Sequence, residues 1–189
     1  MSEDFKGEAE KRPNPNESRQ LLYGFLGAAL YGLFSWVSNH FPLPAAGDVM
    51  FRPAVAFLIF LGAAYGPWTG LMAGLIGNTL GDMLTGWDLS WNWSVGNGLM
   101  GMIPGLIMSA INDFRARADI MKAIGWGTLG IIVGMLFASL TEIAVEGIDL
   151  YTALVGYFVP AFLGNFIVTF VLVPILMIGF AAMLDRRVD

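Results

Sequence analysis

Cysteine is absent from this chain of 189 residues, and histidine occurs once, at His40. The lack of cysteine excludes disulfide bonds, cysteine metal sites and cysteine nucleophiles. The single histidine excludes a metal site built from several histidines. Charged residues are also scarce, at 13% against about 25% in an ordinary soluble domain. Because 56% of the residues are hydrophobic, the composition indicates an integral membrane protein.

Long apolar runs predict an all-α integral membrane protein, a six-transmembrane-helix bundle. The last run is too long for one straight crossing, and Pro160 and Pro174 mark expected kinks or breaks. Residues 1–20 are polar and of mixed charge, so we expect a disordered cytoplasmic tail before a membrane domain at 21–189. The six predicted spans are Leu21–Val37, Pro53–Tyr65, Trp68–Leu84, Val95–Ile111, Ala123–Ile143 and Thr152–Leu184.

The basic residues predict the orientation. Nine of the ten lysines and arginines lie in the amino-terminal tail, the loop after the fourth span and the carboxyl end. Positive residues stay in the cytoplasm, so the pattern predicts an N-in/C-in topology. The nine residues are Lys6, Lys11, Arg12, Arg19, Arg115, Arg117, Lys122, Arg186 and Arg187.

The tenth basic residue, Arg52, lies at the predicted outer end of the second span. Near it we expect the polar stretch 77–98, in which Asn78 and Asp82 are four residues apart and share a helix face. An intramembrane carboxylate is a functional candidate, because burying it is costly. Two interpretations of Arg52 stay open. It is a snorkelling arginine or a partner of Asp48 or Asp82, or it binds an anionic group of a ligand.

Three tryptophans, Trp87, Trp91 and Trp93, alternate with polar residues in the same stretch. They fit an aromatic belt at the membrane surface. They also fit a site for a planar heterocycle, which indoles stack on while the amides of Asn92 and Asn97 bond its edge. Both interpretations stay open.

Two further polar residues, Glu142 in the fifth span and Asn165 in the sixth, either reach the same cavity or cap and pack their helices. The sequence therefore predicts one ligand site near the outer surface. Its candidate residues are Arg52, Asn78, Asp82, Trp87, Trp91, Asn92, Trp93, Asn97, Glu142 and Asn165.

Small residues recur every three or four positions in two spans. In the first span, Gly24, Ala28 and Gly32 share a face that either packs inside the bundle or docks another membrane subunit. The third span carries a glycine seam, which we expect to contact the second and fourth spans closely. The glycine seam consists of Gly66, Gly70, Gly74, Gly77 and Gly81.

Residues 21–184 resemble the substrate-binding S components of energy-coupling factor (ECF) transporters, which import vitamins and related micronutrients. A short helix, a Gly-Pro turn, a glycine-rich helix and a Gly-Asp pair before an outer loop are typical of these proteins. The stretches that carry the resemblance are Arg52–Ala54, Leu61–Pro67, Gly77–Asp82 and Asn92–Gly101.

The resemblance implies a multi-pass protein of a prokaryotic plasma membrane that captures a vitamin-like ligand outside the cell. It implies two ATPase subunits and a membrane coupling subunit, which the small face of Gly24, Ala28 and Gly32 would contact. Because the chain lacks a G-x-x-x-x-G-K-[ST] motif, ATP hydrolysis falls to those partners. We expect no catalytic residue, metal, cofactor or nucleic acid.

The ligand itself stays open. An arginine with tryptophans suits riboflavin-like, folate-like or pantothenate-like molecules, whereas Asp82 and Glu142 suit a cationic, thiamine-like one. The sequence also leaves a second hypothesis, an accessory or assembly subunit of a larger membrane complex without a small ligand. A membrane enzyme is disfavoured, because the chain offers little catalytic equipment.

Overall fold

The structure, a computed structural model, describes residues 17–41 and 51–186. This part of the chain contains six α-helices and no strand, which confirms the all-α class. The helices are α1 (Glu17–Ser38), α2 (Ala54–Tyr65), α3 (Pro67–Thr85), α4 (Trp91–Gly105), α5 (Arg117–Val145) and α6 (Val159–Asp185).

Three helical runs are long and apolar enough to cross a membrane: Arg19–Ser38, Arg117–Val145 and Thr152–Asp185. The α2 helix has only 12 residues. Its length is about 18 Å, well short of a hydrocarbon layer of about 30 Å. The described structure therefore matches the expected number of helices, while six membrane crossings stay a prediction.

Several predicted boundaries are wrong. The α4 helix begins at Trp91 rather than Val95, and it ends at Gly105 rather than Ile111. Its early start follows from tertiary contacts, because Asn92 lies inside the helix and bonds to α5. The α5 helix begins at Arg117, so this residue and Lys122 lie in a helix and not in the preceding loop.

The last helical run continues through both prolines that were expected to kink or break it. A π-helical segment, Thr152–Phe158, leads directly into α6. Pro160 is the second residue of α6 and directly follows the π-helical segment, and the helical run continues through it. Pro174 lies inside α6 without ending it. The irregular part of this run is thus the π-helical segment, before either proline.

The predicted tail 1–20 is too long by one helical turn. The α1 helix begins at Glu17, and Gln20 is 6% exposed. The backbone carbonyl of Gln20 accepts a hydrogen bond of 2.9 Å from the Thr69 hydroxyl. This hydrogen bond joins the first turn of α1 to α3. Residues 1–16 lie outside the described part of the chain.

The short α2 helix forms the centre of the bundle, with nine of its 12 residues buried. Around it, α3 packs between α1 and α4, and α5 follows α4. The glycine seam explains this order. Gly70 and Gly74 meet the α4 backbone as predicted, but Gly77 and Gly81 meet α1 rather than α2. A Cβ atom added to Gly77 would lie 2.8 Å from the Ala28 carbonyl oxygen.

The two ends of the bundle differ in character. The polar end contains the start of α2, the end of α3, the start of α4 and the end of α5, and Arg52 is its basic residue. The other end, here called the basic end, contains Arg19, Arg115, Arg117, Lys122 and Arg186.

Candidate functional site

Buried and half-buried polar side chains at the polar end form two clusters. The first, the Arg52 cluster, consists of Tyr31, Arg52, Asn78, Asp82 and Asn97 with Ser94 and Thr79 at its edge. The second, the Glu142 cluster, consists of Asn92, Trp93 and Glu142. Every residue of the two clusters comes from α1, α3, α4 or α5, except Arg52, which precedes α2.

Arg52 is held between two residues of α3. Its Nη1 donates a hydrogen bond of 2.8 Å to Asn78 Oδ1. Its Nη2 lies 4.0 Å from Asp82 Oδ1, and the two side chains are 16% and 5% exposed. Asn78 Nδ2 donates to Asp82 Oδ2 at 2.9 Å, which closes the triangle. Arg52 therefore contacts Asp82, as its first interpretation predicts, and its role in binding an anionic group of a ligand stays a prediction.

Asn97 joins this triangle to α1 and α4. Its Nδ2 donates to Asn78 Oδ1 at 3.2 Å and to the Trp93 carbonyl oxygen at 2.8 Å. Its Oδ1 accepts a hydrogen bond of 2.6 Å from the Tyr31 hydroxyl. Tyr31 is 0% exposed and was not among the predicted site residues. Its position three residues after Ala28, on the small-residue face of α1, is the pattern that indicates it.

Ser94 is a second site residue outside the predicted set. Its hydroxyl accepts a hydrogen bond of 3.2 Å from Asn78 Nδ2 and shares another of 2.9 Å with the Thr79 hydroxyl. These hydrogen bonds join the first turn of α4 to α3. The Arg52 cluster thus connects α1, α3 and α4, and it contains one positive and one negative side chain.

The Glu142 cluster has a different balance of donors and acceptors. Asn92 Nδ2 donates to Glu142 Oε1 at 2.9 Å, and Trp93 Nε1 donates to the same oxygen. Glu142 is 6% exposed, and its second oxygen, Oε2, has no hydrogen-bond partner among the described residues. None of the ion pairs within 17–41 and 51–186 includes Glu142.

The three predicted tryptophans do not gather at one place. Trp93 is half-buried, and its ring lies 6.1 Å from that of Tyr157 at a tilt of 46°. Trp91 is 55% exposed and contacts the edge of Phe137, and Trp87 is 41% exposed. The described structure therefore brings only Trp93 into the polar clusters.

Asn165 also stays apart from the clusters. It is buried on α6, at 6% exposure, and no hydrogen bond joins it to either cluster within the described residues. An apolar cavity of about 570 Å³ lies between α1, α2 and α6, and Phe51 and Pro53, the neighbours of Arg52 in the chain, line it. Ser38 is the one polar residue of its described wall, which contains no charged side chain.

The expected docking face of α1 requires a correction. Gly24, Ala28 and Gly32 are buried, and Ala28 is 1% exposed. Cβ atoms added to Gly24 and Gly32 would lie 2.8 and 2.9 Å from the Cβ atoms of Met72 and Leu80 on α3. This face packs inside the bundle, because its small residues let α1 approach α3 closely. A partner subunit therefore cannot reach it while the two helices stay packed.

The described helices are mostly apolar, and most of their buried amides and carboxylates lie at the polar end. These features define a class of protein: a membrane protein with a candidate site for a small polar ligand. The comparison with protein families gives the particular family. The model of the ECF-type riboflavin transporter S component matches residues 16–182. The chain belongs to this family, as its resemblance predicts.

A curated relative agrees with this assignment. A UPF0397 protein of Aliivibrio fischeri (strain MJ11) is 30% identical over 155 residues. The match covers 71% of this chain and 84% of the relative. No solved structure matches the chain.

Proposed function

We propose that this protein is the membrane-embedded substrate-binding subunit of an ECF importer and that it captures a vitamin-like molecule at its polar end. A membrane coupling subunit and two ATPase subunits would then drive release into the cell. Riboflavin is the first ligand to test, because the matching family carries its name.

One observation carries the proposal: both polar clusters, with most of the buried amides and carboxylates of the described residues, lie at the polar end of the bundle. Buried polar groups are expensive in a membrane unless they are paired or functional. The polar atoms of the clusters form many hydrogen bonds with one another. Glu142 Oε2, however, has no hydrogen-bond partner among the described residues. A ligand at the polar end is the simplest reason for keeping such groups there.

The orientation is part of the proposal. All described lysines and arginines except Arg52 lie at the basic end, and positive residues stay in the cytoplasm. The polar end therefore faces outside, where an importer must meet its ligand. The chain would cross the membrane six times, with α2 and α4 as short helices that the other helices surround.

Ligand binding by the purified protein tests the proposal. The full chain is purified in detergent, and the binding of riboflavin, thiamine and pantothenate is measured by calorimetry. We expect one of them to bind in the nanomolar to micromolar range, as a capture subunit requires. Copurification of the protein with a coupling subunit and ATPases would support the transport role. Copurification with another complex, without any bound ligand, would favour the accessory subunit.

The absence of cysteine makes the orientation easy to test, because a single introduced cysteine is the only thiol. Asp88 and Asn112 are exposed in the connections at the polar and the basic end. A membrane-impermeant maleimide should label Asp88→Cys in intact cells and Asn112→Cys only after permeabilisation. The reverse pattern would place the polar end in the cytoplasm and contradict the proposal.

A further inference from the structure

The apolar cavity of about 570 Å³ is a groove between two helices that both lean on a third. The α1 and α6 helices each pack against the short α2 helix, but they make at most sparse contact with one another. Ala54 and Phe57 of α2 line the cavity between a wall from α1 and a wall from α6. The cavity therefore exists because α2 separates two longer helices.

The size of the cavity exceeds that of a packing defect. Well-packed protein interiors contain few voids larger than a water molecule. An apolar cavity of about 150 Å³ lined by leucine, isoleucine and phenylalanine already holds benzene. At about 570 Å³, this cavity falls within the range of about 300 to 1,000 Å³ that is usual for small-molecule sites. It is large enough to bind a molecule.

The wall of the cavity selects hydrocarbon. Ser38 is its one polar residue among those described, and the Ser38 hydroxyl donates a hydrogen bond of 2.7 Å to the Phe34 carbonyl oxygen of the same helix. The described wall thus presents no unpaired hydrogen-bond donor to an occupant. A polar molecule would lose its hydrogen bonds to water there without gaining others, which is costly.

The cavity opens towards the membrane. Phe34 and Val37 on the α1 wall and Ile175 on the α6 wall are 45%, 48% and 60% exposed. Both helices belong to runs that are long and apolar enough to cross a membrane. Leu33 and Val171, beside the cavity in the chain, are exposed as well. The cavity is therefore continuous with the lipid-facing surface of α1 and α6, and lipid tails reach it rather than water.

The side chains of the wall do not suit a partner helix. Helices pack closely in membranes through small residues, as α1 and α3 do where Gly77 meets Ala28. The cavity wall is bulky instead: it contains four phenylalanines, two leucines and an isoleucine. These rings and branched side chains keep a second helix backbone away. A flexible hydrocarbon tail can follow the space between them.

We infer that this cavity binds an acyl tail of a membrane phospholipid, whose head group stays outside it at the membrane surface. The inference goes beyond the proposed function, because it concerns a second site and does not depend on the imported ligand. The tail fills space that no described side chain fills, and so restores van der Waals contacts to α1, α2 and α6. Since only the tail is bound, affinity depends on the tail and not on the head group.

Native mass spectrometry of the full chain tests the inference. The purified protein is stripped of lipid in detergent and titrated with phosphatidylethanolamine and phosphatidylglycerol that carry identical long tails, and with a short-tailed phosphatidylglycerol. We expect one long-tailed lipid to be retained per protein, with similar affinity for both head groups. The short-tailed lipid should bind at least about 10-fold more weakly.

Matched variants locate the bound lipid. Ile175→Trp and Val37→Trp place an indole in the mouth of the cavity, whereas Ile178→Trp and Leu33→Trp alter exposed residues of the same helices outside its wall. We expect the first two to weaken retention at least about 10-fold and the last two to leave it unchanged. Thermal unfolding checks that all four are folded. Added long-tailed lipid should raise the melting temperature of the two control variants more than that of the two cavity variants.

The outcomes distinguish the tail from other occupants. Equal retention by the folded cavity and control variants overturns the inference, and so does retention of phosphatidylglycerol alone, which would point to the basic end. A dimer that only the cavity variants dissociate would make a second copy of the chain the occupant. If the folded, unaltered protein retains no lipid, the inference also fails, and residues 42–50 become the next occupant to test. None of these results bears on vitamin binding.

Discussion

Two regions of the same helix, α3, hold the bundle together in opposite ways. Near the basic end, Gly70 and Gly74 bring the α3 backbone against that of α4, with no side chain between them. Near the polar end, Asn78 and Asp82 reach their neighbours through side-chain hydrogen bonds. In the first region the helices pack closely because the glycines have no side chains. In the second region the helices are joined by particular polar side-chain atoms.

The difference shows how one sequence provides both a rigid frame and a chemical site. Where two helix backbones touch, a larger side chain does not fit. It would push the helices apart, and they would lose their packing nearby. A polar cluster tolerates changes of volume better than changes of chemistry, because each lost donor leaves a buried acceptor unpaired. The predictions below test this contrast, beginning with the largest expected effect.

Adding one methyl group at Gly70 should damage the frame most. A Cβ atom there would collide with the backbone carbonyl group of Gly101 on α4, which cannot turn aside. We expect Gly70→Ala to lower the free energy of unfolding by about 3 kcal/mol or more, or to prevent folding. Thermal unfolding of the purified variant in detergent, followed by circular dichroism, measures the loss.

Gly125→Ala is the matched control, because nothing lies within 4 Å of a Cβ atom added to this exposed glycine of α5. Alanine is the better helix former, so this variant should keep its stability or gain up to about 1 kcal/mol. Equal stability of Gly70→Ala and Gly125→Ala would show that the backbones of α3 and α4 are farther apart at Gly70 than in the structure.

Removing the charge of Arg52 should give the largest effect within the polar region. Arg52→Met keeps part of the apolar stem but leaves the 5%-exposed side chain of Asp82 without its cation. We expect a loss of about 2 to 3 kcal/mol, at or below the usual cost of breaking a buried ion pair, since the pair is 4.0 Å apart. The same unfolding assay measures it.

The double variant Arg52→Met with Asp82→Asn tells a charge effect from a packing effect. Because it removes both charges, we expect it to be more stable than Arg52→Met alone. Additive losses would argue against an interaction between the two side chains. They would return Arg52 to its other interpretation, that of an anion-binding group.

The helices could be read from the sequence because their apolar runs are long and the Gly66-Pro67 turn separates α2 from α3. The start of α4 could not, because Asn92 and Ser94 look like loop residues until their partners on α5 and α3 are known. The apolar pattern did not predict the π-helical segment before α6. Pro160 and Pro174, which were expected to kink or break the run, do not end it.

The sequence predicted which residues belong to the candidate site better than it predicted which of them contact one another. The spacing of Asn78 and Asp82 placed them correctly on one face of α3. It could not show that the small-residue face of α1 packs against α3 and brings Tyr31 to Asn97. Nor could composition separate Trp93 from the exposed Trp87 and Trp91, because all three suit a membrane surface equally well.

A single hydroxyl group gives a finer test of the polar region. Tyr31→Phe keeps the ring and removes the hydrogen bond of 2.6 Å to Asn97 Oδ1. Because the site is 0% exposed, water cannot replace the lost donor, and we expect a loss of about 1 kcal/mol. Tyr151→Phe, at 73% exposure, is the control and should leave stability unchanged. A Tyr31→Phe protein as stable as the control would exclude the bond.

The smallest expected effect comes from a polar contact at the same end that is open to water. Asp149 accepts hydrogen bonds from the backbone N–H and the hydroxyl of Thr152, at 2.9 and 3.1 Å, and so caps the last helical run. These bonds, the backbone one first, hold the pKa of the Asp149 carboxyl below its ordinary value. Asp149→Ala should therefore lower the melting temperature slightly at pH 7.

The pH dependence distinguishes the charged cap from a packing effect. Because the pKa is lowered by folding, the stabilisation is present above the unfolded value of about 3.9 and is lost as the pH falls through the folded value. The difference in melting temperature between Asp149→Ala and the unaltered protein should be present at pH 7 and shrink below pH about 3.9. Asp88→Ala, an exposed aspartate in the α3–α4 connection, should show no such difference at either pH. A difference for Asp149→Ala that persists in acid would mean that the side chain acts through its shape, as the glycines of α3 do, and not through its charge.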